Sequence, residues 1–242
     1  MAKQALICQG CWQQMKIPVP LRGLASAPFR MFGIRPSRMN PNTCTICELM
    51  FSKVMRARKV SIDATVLFVD LRGYTSLSRA QSHDAVSALL DVFYDECAKS
   101  IWDHDGLLNK TMGDAVMAVF NFPIRRDDHP AQAVLAAREI KARWRARGQE
   151  LSKTFGGDVE PGIGIGIDCG QLSFGEFGHA HHDLTAIGNV VNTASRAQSV
   201  AAAGEILITE AVYERARTEV PASSGREYML KGLEGPTMLY AA

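Results

Sequence analysis

The chain has 242 residues, a formal net charge of +2 and a hydrophobic content of 47%. This is enough sequence for one sizeable domain with a small accessory segment. No apolar run approaches the roughly 20 residues that span a bilayer, and the first residues lack the layout of a signal peptide. These features argue against a membrane-spanning or secreted protein, so we expect a soluble protein of the cytoplasm.

The net charge conceals a break in composition. Residues 1–60 contain ten Lys/Arg and one acidic residue, whereas residues 61–242 contain 17 Lys/Arg and 24 Asp/Glu. We therefore predict a basic, cysteine-rich segment over 1–47, a helical linker over 48–61 and a larger domain over 62–242. The basic segment has the charge to contact acidic lipid, nucleic acid or the acidic remainder of a dimer, or it is only a solvated face. Nucleic acid ranks low because few aromatic residues accompany the charges.

Four of the six cysteines form two C-x-x-C pairs, Cys8 with Cys11 and Cys44 with Cys47. Each pair can direct two thiolates at one metal ion, and two pairs complete a tetrahedral site. Five of the ten prolines lie between the pairs, and a short proline-rich segment needs such a staple. A structural zinc ion is the leading interpretation, followed by an iron–sulfur cluster and then by a thiol–disulfide switch.

The hydrophobic periodicity predicts a series of alternating elements after the cysteines. Helices are predicted over 48–59, 76–101, 130–151, 190–199 and 210–217. Strands are predicted over 64–69, 107–110, 115–120, 163–168, 171–177, 205–209, 228–230 and 237–240. The order strand–helix–strand–strand–helix–strand in the first part of this series predicts a ferredoxin-like α/β sandwich, an α+β fold.

Two aspartates lie at the edges of predicted buried strands. Asp70 follows the apolar run 64–69, and Asp114 precedes the run 115–120. A buried carboxylate is costly unless it is paired, and two of them on neighbouring strands suit hard divalent cations, which prefer oxygen ligands. Such cations would in turn hold a nucleoside triphosphate.

The stretches 67–75 and 110–120 resemble the signature segments of class III nucleotidyl cyclases, which make cyclic AMP or cyclic GMP. Two further segments of the family follow in the expected order, at 184–196 and 230–232, so the resemblance covers about residues 62–241. It implies a ferredoxin-like catalytic domain, a head-to-tail homodimer and two-metal phosphoryl transfer.

The resemblance also implies a role for individual residues. Asp70, Asp114 and the backbone carbonyl of Leu71 would bind two magnesium or manganese ions. The residues expected to contact the phosphates at the start of a helix are Arg72, Gly73, Tyr74 and Thr75. Asn192 would orient the ribose, Arg196 would stabilise charge on the α-phosphate, and Lys231 would bind the terminal phosphates.

Base selection is implied at two positions. Lys110 matches the family's base-recognising lysine and Thr185 the second recognition position, a combination typical of adenylate-type members. A lysine donates to adenine N1 and a threonine hydroxyl can accept from the 6-amino group, so ATP is the expected substrate. Leu184 departs from the family, which often has an aromatic residue there. A guanylate cyclase and a catalytically silent nucleotide-binding or dimerisation module are the alternatives.

Overall fold

The structure is a computed structural model that describes residues 5–155, 162–177 and 183–242. These residues form one eight-stranded sheet with helices on both faces. The strands are β1 Val60–Leu71, β2 Leu107–Met112, β3 Ala115–Phe120, β4 Ile163–Phe177, β5 Asp183–Ile187, β6 Ile206–Thr209, β7 Arg226–Met229 and β8 Pro236–Ala241. The helices are α1 Gln9–Met15, α2 Ala27–Met31, α3 Thr45–Ala57, α4 Tyr74–Ala80, α5 His83–Asp103, α6 His129–Phe155, α7 Asn189–Val200 and α8 Glu210–Arg215, with a 3-10 turn at Leu24–Ser26.

The strand order is β2-β3-β1-β4-β6-β8-β7, with β5 added to the outer part of β4. Among the first four strands of this order, each neighbouring pair is antiparallel, and the connections run through α5 and α6. This is the ferredoxin-like arrangement, so the predicted fold class is confirmed. No helix among the described residues is long and apolar enough to cross a bilayer.

Strand β1 lies at the centre of the sheet and is apolar on both faces. Leu67 and Val69 point into a core formed with α5 and α6, whereas Val66 and Phe68 point into a second core that includes Ala194 of α7. Burying a side chain of this size contributes about 1.5–3 kcal/mol. The continuous apolar run in the sequence therefore reflects a strand that is covered on both sides.

The structure corrects two of the predicted elements. The single helix predicted over 76–101 is two helices, α4 and α5, because the chain is extended at Gln81 and Ser82. The Ser82 hydroxyl accepts a hydrogen bond from Ala85 N at 3.3 Å and caps the second helix.

The two strands predicted on either side of Gly170 are one strand, β4, which pairs with β1 from Val60 to Leu71. Gly170 has φ +151°, a conformation that suits glycine and keeps the strand continuous. Strand β5 and helices α1 and α2 were not predicted.

The N-terminal element, residues 5–57, packs against the sheet. Asn40 Nδ2 donates to Gly106 O at 2.7 Å, Asn42 Nδ2 to Asp105 Oδ1 at 3.2 Å, and Trp102 Nε1 to Met39 O at 2.9 Å. These bonds join the loop before the second cysteine pair to the corner between α5 and β2.

An aromatic contact completes this docking. The rings of Phe51 and Phe122 meet edge to face with their centroids 5.2 Å apart. Phe122 follows β3 at Phe120, which pairs with Thr65, whereas Asp70 pairs with Ala115 at the other end of β3. The N-terminal element therefore contacts the end of the sheet opposite to Asp70.

Candidate active site and cysteine centre

Asp70 and Asp114 meet at one end of the central strands. Asp70 is the penultimate residue of β1 and pairs with Ala115, and Leu71 N donates to Asp114 O at 3.0 Å. Gly113 makes the turn before Asp114 with φ +61°. Burial and the negative charge of Asp114 raise the pKa of the Asp70 carboxyl, whereas Arg72 acts in the opposite direction. Two carboxylates whose negative charges repel each other in this way suit a divalent cation, which would neutralise both.

Arg72 is the immediate counter-ion of this carboxylate. Its Nη1 lies 3.2 Å from Asp70 Oδ1, and its Nη2 donates to the carbonyl of Gln198 in the last turn of α7. The guanidinium passes over Gly164 of β4, where a side chain would collide with it. Arg72, which the sequence assigned to phosphate binding, thus connects β1 to α7 in the structure.

Helix α4 begins two residues after Arg72. Gly73 has φ +78° and precedes the helix, and no side chain caps the amides of its first turn, where Tyr74 and Thr75 lie.

The turn that carries Asp114 is supported by a hydrogen bond that the sequence reasoning missed. The Tyr94 hydroxyl donates to Gly113 O, and burial raises the pKa of Tyr94. In the sequence, Tyr94 is one member of the apolar stripe of α5 and gives no signal of this bond.

Helix α7 carries a second, basic group of predicted residues. Because Val190, Ala194 and Ala197 are buried, Asn192 lies on the exposed side and Arg196 is half-buried. Arg196 and Lys231 line one cleft of about 450 Å³. No ion pair among the described residues joins this cleft to Asp70 or Asp114. The predicted residues thus form two groups on one chain, which we call the acidic half-site (Asp70, Asp114) and the basic half-site (Asn192, Arg196, Lys231).

Lys110 and Thr185 come from strands that are not adjacent in the sheet order. Lys110 lies on β2 and Thr185 on β5, and both are half-buried. Asn109 Nδ2 donates to Leu184 O at 3.0 Å and so joins the two strands beside these positions. The sequence reasoning missed Asn109, since an asparagine inside a predicted hairpin has no distinguishing pattern.

The four N-terminal cysteines form one buried cluster. Their Sγ atoms all lie within 4.8 Å of one another, with separations of 3.6 Å for Cys8–Cys47, 3.6 Å for Cys11–Cys44 and 3.4 Å for Cys11–Cys47. Zinc–sulfur bonds of about 2.3 Å place tetrahedral ligands about 3.8 Å apart, so the thiols fit around a single ion. Cys8 Sγ also accepts hydrogen bonds from Cys11 N at 3.4 Å and Cys44 N at 3.2 Å.

Burial and mutual hydrogen bonds shift the pKa values of these thiols. Burial raises the pKa of Cys11 to about 12. Hydrogen bonding among the thiols raises the pKa of Cys47 and lowers the pKa of Cys44. Four thiolates need a positive charge at their centre, since metal ligands must be deprotonated.

The sequence comparisons converge on one family. The profile described as "Adenylate and Guanylate cyclase catalytic domain" matches residues 57–241. An uncharacterized protein of Mycobacterium tuberculosis is 32% identical over 185 residues, which cover 73% of this chain and 32% of that protein. An adenylate cyclase of Anabaena cylindrica is 34% identical over 151 residues, which cover 61% of this chain and 30% of that protein. The chain thus spans about a third of the length of these relatives.

Solved structures agree with the sequence comparisons. The guanylyl cyclase Cya2 superimposes with a TM-score of 0.71 at 27% identity, covering 76% of this chain and 92% of that one. The adenylyl cyclase CyaB from P. aeruginosa superimposes with a TM-score of 0.70 at 29% identity, covering 76% of this chain and 95% of that one. The two have different named substrates, so similarity of fold does not select the base.

Two glycines of β4 provide a test of the contact between β4 and α7. In Gly166→Ala, the new Cβ would lie 2.7 Å from Gln198 Cα, which is helix backbone and cannot move alone; we expect a loss of about 1–3 kcal/mol in unfolding free energy. In Gly164→Ala, the new Cβ would lie 2.6 Å from Cζ of Arg72; this side-chain end can move, at the cost of its bonds to Asp70 and Gln198 O, so we expect a smaller loss of about 1 kcal/mol. Urea unfolding of both variants measures the difference, and equal losses would contradict this packing.

Proposed function

The chain belongs to the adenylate and guanylate cyclase family, and from this premise we propose that it converts ATP into 3′,5′-cyclic AMP and pyrophosphate in a head-to-tail homodimer. The observation that carries the proposal is the division of the expected site into two half-sites of opposite charge on one chain. Asp70 and Asp114 form the acidic half-site, and Arg196 and Lys231 line the basic cleft. A symmetric dimer that joins each acidic half-site to the partner's basic half-site has two equivalent complete sites.

In this proposal the acidic half-site holds the cations and the substrate phosphates. The Asp70 and Asp114 carboxylates and the Leu71 carbonyl are the ligands. When bound, magnesium or manganese ions lower the pKa of the ribose 3′-hydroxyl and neutralise phosphate charge. The uncapped amides at Gly73, Tyr74 and Thr75 donate to phosphate oxygens. Arg72 balances the charge of Asp70 from the side of α7.

The basic half-site acts on the reacting atoms. The 3′-hydroxyl loses its proton to solvent, its oxygen attacks the α-phosphorus, the bond to the bridging oxygen breaks, and pyrophosphate leaves with the electron pair. Asn192 orients the ribose for this attack. The planar guanidinium of Arg196 donates to the α-phosphate oxygens as charge develops there, and Lys231 neutralises the terminal phosphates.

We propose ATP as the substrate because of the residues at the base-recognition positions. The Lys110 ammonium donates to adenine N1, and the Thr185 hydroxyl accepts from the 6-amino group. Asn109 supports the pair, since its hydrogen bond to Leu184 O holds β5 against β2. The guanylate alternative is an outcome of the substrate test below.

We propose that the cysteine cluster binds a structural zinc ion. The compact arrangement of the four Sγ atoms suits one ion, whereas an iron–sulfur cluster places several iron and sulfide ions among its thiolates and needs more space. The apolar cluster around the cysteines is small, and four of its seven buried members are the cysteines themselves. A metal ion would therefore provide much of the stability of the N-terminal element.

A mixing experiment tests the shared active site. We expect Asp70→Ala and Arg196→Ala each to abolish cyclic AMP formation, because each variant damages both sites of its own homodimer. An equal mixture of the two proteins, allowed to exchange subunits, should recover about a quarter of wild-type activity, since half of the dimers then contain one intact site.

The control is a mixture of Asp70→Ala with Asp114→Ala. These residues belong to the same half-site, so no mixed dimer has an intact site and no recovery is expected. Activity in this control, or near-normal activity in Asp70→Ala alone, would refute the assignment. An inactive wild-type dimer that binds ATP would instead identify a silent nucleotide-binding module.

Base selection is tested by reversing one charge. We expect Lys110→Glu to lower kcat/KM for ATP relative to GTP by about tenfold to 100-fold, because a charged hydrogen bond is worth about 1.5–3 kcal/mol. Product formation from each nucleotide, with magnesium and with manganese, measures the ratio. Lys141→Glu, on the exposed surface of α6, is the control. Faster turnover of GTP than ATP by the wild-type protein would make it a guanylate cyclase.

Metal analysis tests the cysteine centre. We expect the purified protein to contain one zinc ion per chain and Cys44→Ser to lose it. Cys169→Ala, a buried cysteine of β4 outside the cluster, should retain the ion. Iron with visible absorption would favour the iron–sulfur alternative, and a metal-free wild-type protein would exclude both.

A further inference from the structure

The N-terminal element carries a projecting apolar surface at residues 23–33, which we call the apolar lobe. Leu24, Met31 and Phe32 are 97%, 87% and 85% exposed. Scattered single hydrophobic residues are ordinary on protein surfaces, but three nearly fully exposed large ones in one short segment are not. The lobe therefore presents apolar area that the fold itself does not cover.

The exposure follows from an ordered local structure. Phe29 and Ile34 pack inward against the cysteine cluster, and Ile34 N donates to Phe29 O at 2.9 Å. The Thr45 hydroxyl, at the start of α3, donates to Gly33 O at 3.0 Å. Since Phe29 and Ile34 are the inward members of this turn, Met31 and Phe32 are held outward.

The surroundings of the lobe are cationic. Residues 5–47 contain no Asp or Glu and five Lys/Arg. Arg22 is used internally, because its guanidinium donates to the carbonyls of Ala5 and Pro41. Arg30, Arg35 and Arg38 are exposed, and none of them forms an ion pair with the described part of the chain. The lobe thus combines bulky apolar tips with three available arginines.

We propose that the apolar lobe inserts into the interface of an anionic lipid membrane. Leu24, Met31 and Phe32 would enter the boundary between headgroups and acyl chains, while the arginines contact acidic headgroups, the combination that holds peripheral proteins on membranes. The lobe belongs to the element that docks at the end of the sheet opposite to Asp70. The attachment therefore belongs to the end of the sheet that is far from Asp70.

Two other binding partners, a second copy of the chain and nucleic acid, fit the apolar residues and arginines of the lobe less well. A second copy of the chain would need an apolar pocket with acidic residues. The cavity of about 620 Å³ between α3 and the sheet has a mixed polar and apolar lining that includes Arg125 and no carboxylate. Nucleic acid would contact the arginines, but it gains little from Leu24 and Met31, because bases stack on aromatic rings. Of these three partners, an anionic lipid surface is the one that uses both the apolar tips and the positive charge.

Vesicle sedimentation of the full chain tests the proposal. We expect binding to phosphatidylcholine vesicles that contain phosphatidylserine, with much weaker binding to phosphatidylcholine alone. The variant Leu24→Ser, Met31→Ser, Phe32→Ser should lower the partition coefficient by about 100-fold. Leu49→Ser, an exposed apolar position of α3 outside the lobe, should bind like the wild type.

Two further variants separate charge from insertion. Arg30→Gln, Arg35→Gln, Arg38→Gln should lose the preference for acidic vesicles and its salt dependence. Phe32→Trp should give fluorescence that shifts to the blue on binding and is quenched by brominated acyl chains. Undiminished binding by the triple serine variant overturns the proposal, and so does fluorescence of the Phe32→Trp variant that brominated chains leave unquenched. A triple serine variant that changes the dimer content or DNA retention and leaves lipid binding intact overturns it as well. Neither vesicle sedimentation nor tryptophan fluorescence requires catalytic turnover, so the result is independent of the proposed cyclase activity.

Discussion

The pairing of β1 with a strand on each edge is the constraint on which the rest of the structure depends. Every residue from Val60 to Leu71 has a partner on β4, and Thr65 to Asp70 also have partners on β3. A strand held on both edges and buried on both faces cannot change register without moving its whole apolar set. Asp70, as the penultimate residue of this strand, is consequently held beside the turn that carries Asp114.

The same constraint explains why the two half-sites are separate on one chain. Helix α7 packs on the face of β1 and β4 that carries Val66 and Phe68. Its buried residues face that core, so Asn192 and Arg196 face outward. Arg72 connects the end of this helix to Asp70 through the carbonyl of Gln198. Helix α7, which we propose to serve the partner's site, is thereby linked through Arg72 to Asp70 of its own chain.

Sequence reasoning was most accurate where a single physical pattern dominates. The apolar runs identified β1 and β3 because these strands are covered on both sides, and the fold class followed from the order of elements. It was wrong at Gly170, where a glycine suggested a turn although its φ of +151° lies within a continuous strand. It was also wrong over 76–101, because no glycine or proline marks the break before the helix that Ser82 caps.

Contacts between segments far apart in sequence were beyond prediction for a different reason. The bond from Asn109 to Leu184 O, the link from Arg72 to Gln198 and the docking of Asn40 on Gly106 each join residues more than 60 positions apart. No local periodicity records such a pair. The roles of the individual site residues rest on family resemblance, and the structure adds the neighbours of those residues.

In the N-terminal element, the region around the cysteine cluster contributes both to local packing and to the contact with the larger domain. The cysteine pairs bring the chain before α1 and the chain before α3 to one point, and Leu21, Phe29 and Ile34 pack on that point. The same loop supplies Asn40 and Asn42, which bond to the corner before β2. The loop thus connects the cluster to the start of β2, the strand that carries Lys110. The same small core therefore supports two surfaces, the apolar lobe outside and the contact with the α5–β2 corner inside.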